Sequence, residues 1–311
     1  MATSKSKLHS GQAQPAFIPS QDLKPYGAAY LLRIKLPKQK KHWGEVVQKG
    51  QLGMIAGPRG TGKTFLVIAL ALSMVNKVKF LGRVGGGKRR VILIDAEMGL
   101  RAMQQRLEMI AESLDVKLTD DLQVINPELF DGVLPSLSGS EGQAAIDKAI
   151  GTDWDVMIID NYSAWSDTGR EDAESWQPWL KWMLAHKRAG RTIIVVHHTG
   201  KNGVQRGSSK HEDALDFSIL LKSRGGSAGN DALHFDLELT KSRHLAQSKI
   251  APITVTMALH GDRYVWEYAA VETDEDRIAK AHKLRDEGKS NASIAKILGV
   301  DRSTVGRWFR K

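Results

Sequence analysis

Eight residues constrain this chain more than any others: Gly57-Pro58-Arg59-Gly60-Thr61-Gly62-Lys63-Thr64. They fit G-x-x-x-x-G-K-[ST], the phosphate-binding loop. The run before them, Leu52-Gly53-Met54-Ile55-Ala56, is short and apolar, as a buried strand is. The run after them, Phe65 to Val75, is apolar and free of Gly and Pro, as a helix is. A loop set between such elements suits phosphate chemistry. Backbone N–H groups and the positive end of the following helix can cradle phosphates. Gly57, Gly60 and Gly62 shape the loop, Lys63 reaches the β- and γ-phosphates, and the Thr64 hydroxyl ligates Mg²⁺. The motif predicts a nucleotide site that takes ATP with Mg²⁺.

Two later runs end in carboxylates. Val91-Ile92-Leu93-Ile94-Asp95-Ala96-Glu97 reads as a buried parallel strand, because burial on both faces gives a continuous apolar run rather than an alternating one. Val156-Met157-Ile158-Ile159-Asp160 is the Walker B pattern. A carboxylate at the C-terminal edge of a parallel strand lies near the phosphate loop, so Asp160 can hold Mg²⁺ through water. Thr192 to His198 is a further strand, closed by His197-His198. Adjacent strand residues point to opposite faces, which argues against a metal-binding His pair. Met98 to Leu114 and Ser138 to Ile150 read as helices, the latter capped by Ser138 or Ser140. Leu122 to Ile125 reads as a strand and Glu212 to Leu221 as a helix. Ala232 to Thr240, Ile253 to His260 and Tyr264 to Tyr268 read as strands. Alternating β and α elements to about residue 200, then strands, predict a mostly parallel α/β core with an antiparallel edge. Trp176, Trp179 and Trp182 recur every third residue, near Trp165, along one side of a helix. That stripe suits base stacking or core packing, and core packing is the expectation.

Composition narrows the classes. The chain has 311 residues, 41% of them apolar and none of them Cys, so disulfide frameworks and thiolate metal sites are excluded. The absence of Cys fits a reducing, cytoplasmic setting. No run of 18 apolar residues exists, so no transmembrane helix and no membrane partner are expected. The formal net charge of +10 points to a polyanionic partner. Residues 1–18 read as a disordered tail and 19–50 as an N-terminal arm. In that arm, Lys38-Gln39-Lys40-Lys41 is either a solvated or subunit-contacting face or a nucleic-acid contact. Residues 51–270 make the core and 275–311 a separate module.

The order of these features resembles the RecA-like core, most closely the hexameric replicative helicases of the plasmid RepA type, over residues 30 to 270. By that resemblance, Glu97 corresponds to the strand-terminal Glu that activates water for attack on the γ-phosphate. His198, the second of the His pair, corresponds to a γ-phosphate sensor. The loop from Gly200 to Ser209 corresponds to a central-channel loop on single-stranded DNA, with Lys201 and Arg206 supplying charge. Lys241-Ser242-Arg243 resembles a K-x-R element, and the match implies that Arg243 is an arginine finger supplied to the neighbouring subunit. An ordinary basic β-turn is the other reading of those three residues. The resemblance implies a homo-oligomeric ring, a hexamer, with catalysis at subunit interfaces.

The C-terminal module reads as three helices: Asp276 to Glu287, Asn291 to Leu298 and Asp301 to Phe309, with Ser290 or Asn291 capping the second. Ala295, Gly299 and Val305 occupy the close-approach, turn and inward positions of a helix-turn-helix. The tract from Ile294 to Val305 resembles resolvase-type DNA-binding modules. That implies that Arg302, Ser303, Thr304 and Arg307 face the major groove, with Arg310 and Lys311 on phosphate. A protein-interaction module of three helices is the alternative. The expected fold is thus α/β, a RecA-like P-loop core plus a small all-α helix-turn-helix domain. The expected function is an ATP-dependent DNA helicase-type motor in replication of a mobile element. The alternative is a DNA-binding ATPase that does not unwind: a loader, recombination factor or regulator.

Overall fold

The computed structural model describes residues 25–132, 135–166, 173–199, 210–224, 233–245, 250–271 and 274–310. The chain divides into two compact units, Met1–Lys40 and Lys41–Lys311. The first holds a short helix, α1 (Ala28–Arg33). The second opens with an antiparallel pair, β1 (Lys41–Trp43) and β2 (Val47–Gln48).

The core then alternates strand and helix. It runs β3 (Leu52–Gly57), α2 (Lys63–Asn76), β4 (Val91–Asp95), α3 (Leu100–Leu114), β5 (Leu122–Ile125), α4 (Ser140–Ile150), β6 (Val156–Asp160), α5 (Ala173–Arg188) and β7 (Thr192–His198). After the short helix α6 (Lys210–Asp213) come β8 (Phe217–Ser223), β9 (Leu233–Ser242), β10 (Ile253–His260) and β11 (Arg263–Ala270). Among the described residues, nine strands join one sheet in the order β11-β10-β9-β8-β3-β7-β6-β4-β5. From β8 to β5 the pairing is parallel, and from β8 to β11 it is antiparallel. This is the mostly parallel α/β core with an antiparallel edge that the sequence leads one to expect.

Burial explains the two halves. In β3, β4 and β6 every residue is buried, because helices cover both faces. Successive residues feed opposite layers: Ile55 joins the cluster under α2 and α3, while Met54 and Ala56 join the one under α4 and α5. In β9 and β10, buried and half-buried residues alternate, as one-sided packing requires. Trp43, Val46 and Val47 are buried in the same cluster as α2. The tryptophans Trp165, Trp176, Trp179 and Trp182 are all buried in the α5 layer. Trp179 meets Tyr162 edge-on, with ring centroids 4.9 Å apart. They are core, which leaves them no face for stacking bases.

Two expectations need correction. The helix expected over Glu212 to Leu221 is α6 followed by β8. Glu212 and Asp213 look like an acidic helix start, but Phe217, Ile219 and Leu221 face one cluster at period two. β8 is the strand where the sheet turns from parallel to antiparallel. Helix α4 is capped by neither Ser138 nor Ser140. Its cap position is Gly139, without a side-chain bond, and Ser138 Oγ instead meets Ser166 Oγ at 3.1 Å.

The chain ends in α7 (Asp274–Asp286), α8 (Asn291–Leu298) and α9 (Arg302–Trp308). Ser290 caps α8 by accepting the Ser293 N–H at 3.3 Å, as expected. Gly299 takes the left-handed conformation that stops α8. Ala281, Ile294, Ala295 and Val305 form their own small cluster, with Trp308 and Phe309 against it.

Candidate functional site

The C-terminal ends of β3, β4, β6 and β7 lie side by side in the sheet. The segments that leave these strands converge on one cleft of about 410 Å³. Gly60, Gly62, Lys63, Thr64, Phe65, Glu97, Met98, Arg106, Asp160, His198 and Leu233 line it. The phosphate loop is shaped by backbone need. Gly60 and Gly62 have φ of +75° and +88°, where other residues are strained. A side chain at Gly57 would press on the Leu221 carbonyl, 2.9 Å away. Gly62 caps α2 with no side-chain bond, so the first N–H groups of that helix are left for an anion.

Lys63 is buried and donates to the Gly57 and Pro58 carbonyls, both at 2.8 Å. It sits folded back in its own loop. Burial pushes its ammonium down to about 8, while Asp160 and Glu97 pull it back up. Thr64 hydrogen-bonds Asp160, whose carboxyl burial raises above the usual range. Asp160 Oδ2 is buried and has no hydrogen-bond partner among the described residues. A hydroxyl beside a carboxylate with a spare buried oxygen is a hard oxygen donor set of the kind Mg²⁺ takes. The loop, the ammonium and this pair together fit a magnesium nucleoside triphosphate.

Glu97 is held from two sides. His198 Nε2 lies 3.0 Å from Glu97 Oε1, and the Asn161 amide donates to the same carboxylate. The hydrogen bond from His198 is the chief cause that lowers the Glu97 pKa, against a desolvation that raises it. Asn161 is fixed in turn, because its Oδ1 accepts the Ala164 N–H at 3.1 Å.

A family model described as an AAA domain matches residues 24–204, more than half of the chain. The chain belongs to the AAA domain family. No curated protein matches it. Among solved structures, that of the RadB recombinase is similar with a TM-score of 0.47 at 13% identity, over 70% of this chain and 90% of that one.

Membership supports a nucleotide-binding P-loop ATPase and is consistent with the cleft. Of the expected site residues of this AAA domain, the structure brings Gly60, Gly62, Lys63, Thr64, Glu97, Asp160 and His198 to the cleft, while Gly57 ends β3 just before the loop. Arg243 is not there. It follows β9 at the far end of the sheet, where Ser242 pairs with Phe217, and Phe217 with Gly53. At ~3.3 Å per residue, that is about 13 Å from Gly57 along the strand. There its N–H donates to the Asp216 carbonyl at 2.8 Å and its guanidinium to the Asp213 carbonyl. Lys201 and Arg206 lie outside the described residues, as does Lys311. On α9, Arg302, Ser303 and Arg307 are exposed and Thr304 half-buried, with Arg307 Nη2 on Thr304 Oγ1 at 3.1 Å.

Sequence reasoning missed Arg106 and Leu233, which line the AAA cleft, and Asn161, which holds Glu97. Arg106 sits 4.5 Å over the Phe65 ring and feels Asp160 and Asp95. It comes two turns into α3, where only the direction of the helix brings it back to the loop. Asn161 stands beside a motif residue and carries no signal of its own. Leu233 reaches Gly62 from β9, across a sequence distance no local pattern spans.

Proposed function

We propose that this chain is a cytoplasmic, ATP-driven DNA motor of the RepA helicase type. It acts in the replication of a plasmid, phage or other mobile element and hydrolyses ATP between the subunits of a hexameric ring. The observation that carries this reading is the convergence of Lys63, Thr64, Asp160, Glu97 and His198 on one cleft.

The residues divide the work. On binding, Lys63 exchanges two carbonyls of its own loop for phosphate oxygens. Thr64 and Asp160 would hold Mg²⁺, which would supply positive charge against the phosphates. Glu97, with its depressed pKa, is ionised at neutral pH and accepts a proton from the attacking water. His198 Nε2–H serves Glu97 without nucleotide and a γ-phosphate oxygen with it, which makes it the sensor. Arg243, set away from its own cleft, stabilises phosphoryl charge in the neighbour's. Lys201 and Arg206 touch single-stranded DNA in the channel. Arg302, Ser303, Thr304 and Arg307 read duplex as a helix-turn-helix.

One observation favours a second reading. The C-terminal helices have their own small core and expose Arg302, Ser303 and Arg307. A processive motor does not need such a duplex reader, whereas a loader, recombination factor or regulator does. Strand displacement on a forked duplex with ATP separates the two. The motor reading expects displacement by wild type and none by Lys63→Ala or Arg243→Ala. ATP hydrolysis stimulated by single-stranded DNA, without displacement, would move the assignment to the second reading.

A further inference from the structure

The turn that carries Glu97 is held by side chains that do not line the cleft. Asp95 ends β4 and is 1% exposed. Its Oδ2 accepts the Met98 N–H at 3.1 Å, and its carboxylate also accepts the Glu97 N–H. The loop after β5 then grips this turn. Asn126, also 1% exposed, donates from Nδ2 to Asp95 Oδ2 at 3.2 Å and to the Met98 carbonyl at 2.8 Å. Asn126 Oδ1 accepts the Glu128 N–H at 3.0 Å, and Glu128 Oε2 accepts the Leu100 N–H at 2.8 Å. Leu100 opens α3, whose cap, Gly99, offers no side chain. Thus one loop fixes the segment on both sides of Glu97.

A turn cap alone does not need a buried charge. Asp95 Oδ1 is buried without a hydrogen-bond partner among the described residues, and burying such an acceptor is costly. Burial pushes the Asp95 carboxyl up to about 6. An exposed Ser or Asn would cap the same turn at less cost. The arrangement makes sense if the orientation of Glu97 is what the charge and its partner secure.

We infer that Asp95 and Asn126, with Glu128 behind them, are positioning residues that aim the Glu97 carboxylate at its water. This rests on the reading of Glu97 as the base. A misplacement of ~1 Å at a reacting group can cost ~100-fold in rate.

The test measures steady-state ATP hydrolysis and the affinity for a fluorescent ATP analogue in the full chain. Asn126→Ala is expected to lower kcat ~10- to 100-fold with nucleotide affinity within about twofold of wild type. Asp95→Asn, whose amide oxygen still accepts the Met98 N–H, keeps more turnover than Asp95→Ala. Glu128→Ala changes an exposed residue and so leaves folding intact should Asn126→Ala unfold. Its kcat falls a few-fold at unchanged affinity. Glu97→Gln runs alongside. If Glu97→Gln hydrolyses like wild type, the base reading falls and takes the inference with it. If Glu97→Gln is inactive while Asn126→Ala and Glu128→Ala both turn over like wild type, positioning alone is overturned. It is also overturned if affinity drops in step with kcat in both variants, since that is a general loss of structure.

Discussion

The two ends of the central sheet differ in kind. At the C-terminal end of the parallel strands, Lys63, Thr64, Asp160, Glu97 and His198 share one cleft, and each bonds within its own loop or to another of the five. At the other end, Arg243 rests on the Asp213 and Asp216 carbonyls with no phosphate-binding element beside it among the described residues. One end has the parts expected for binding and for water activation, with Lys63 and Arg106 as cations in its lining. The other end holds Arg243 away from that cleft. On the proposed reading, Arg243 of one subunit would complete the cleft of its neighbour, which is what ring assembly would provide.

Arg243→Ala challenges this division of labour hardest. Loss of a trans-acting arginine finger costs ~10³- to 10⁵-fold in kcat. Affinity for an ATP analogue is expected to stay near wild type, because the cleft is untouched. A steady-state assay beside a binding titration checks both. Lys63→Ala acts at the opposite end. Its loss is expected to be smaller in kcat, ~10²- to 10³-fold by analogy with a lost charge-stabilising donor, but affinity falls with it. If both variants lost affinity alike, the two ends would not be distinct.

A gentler change addresses the C-terminal helices. Val305 is fully buried in a cluster of few residues. Val305→Ala removes two methyl groups at ~0.8 kcal/mol each, plus a cavity term, for a loss of about 2 kcal/mol. A module this small has little stability to lose. Duplex binding is therefore expected to vanish while ATP affinity persists, as gel shift and titration can show.

The slightest effect is a proton. Burial holds Lys63 at about 8, below its ordinary value of 10.5. Because the folded-state value is depressed, the cost of burying the charge is fully present below pH 8. Stability then rises with pH between about 8 and 10.5, where the unfolded chain binds the extra proton. A bound triphosphate restores counter-charge and raises the Lys63 pKa. Binding at pH 8 is expected to take up a fraction of a proton. Calorimetry in two buffers of different ionisation enthalpy measures that uptake, and Lys63→Ala abolishes it.

Much of the fold and cleft is legible in the sequence. Continuous apolar runs closed by Asp95, Asp160 and His198 locate the parallel strands, because two-sided burial leaves such runs. The phosphate loop shows through glycines that the backbone requires. The hidden parts depend on contacts across the chain. β8 reads as a helix because its acidic approach, Glu212-Asp213, imitates a first turn, and only pairing with β3 and β9 settles its period. Asn126 has no motif, and its role exists only because β5 lies beside β4. Arg106 needs the return of α3 over Phe65 before it reaches the cleft.

Everything proposed for the ring depends on Arg243 acting at another subunit's nucleotide, and subunit mixing puts that to trial. Lys63→Ala and Arg243→Ala proteins, each inactive alone, are combined under conditions where subunits exchange, with exchange followed by fluorescence transfer between labelled copies. A mixed ring contains intact clefts beside intact Arg243 residues. A finger supplied in trans predicts that ATP hydrolysis returns as the two proteins mix, to a fraction of wild type set by the number of such interfaces. Verified exchange with no return of activity would contradict it.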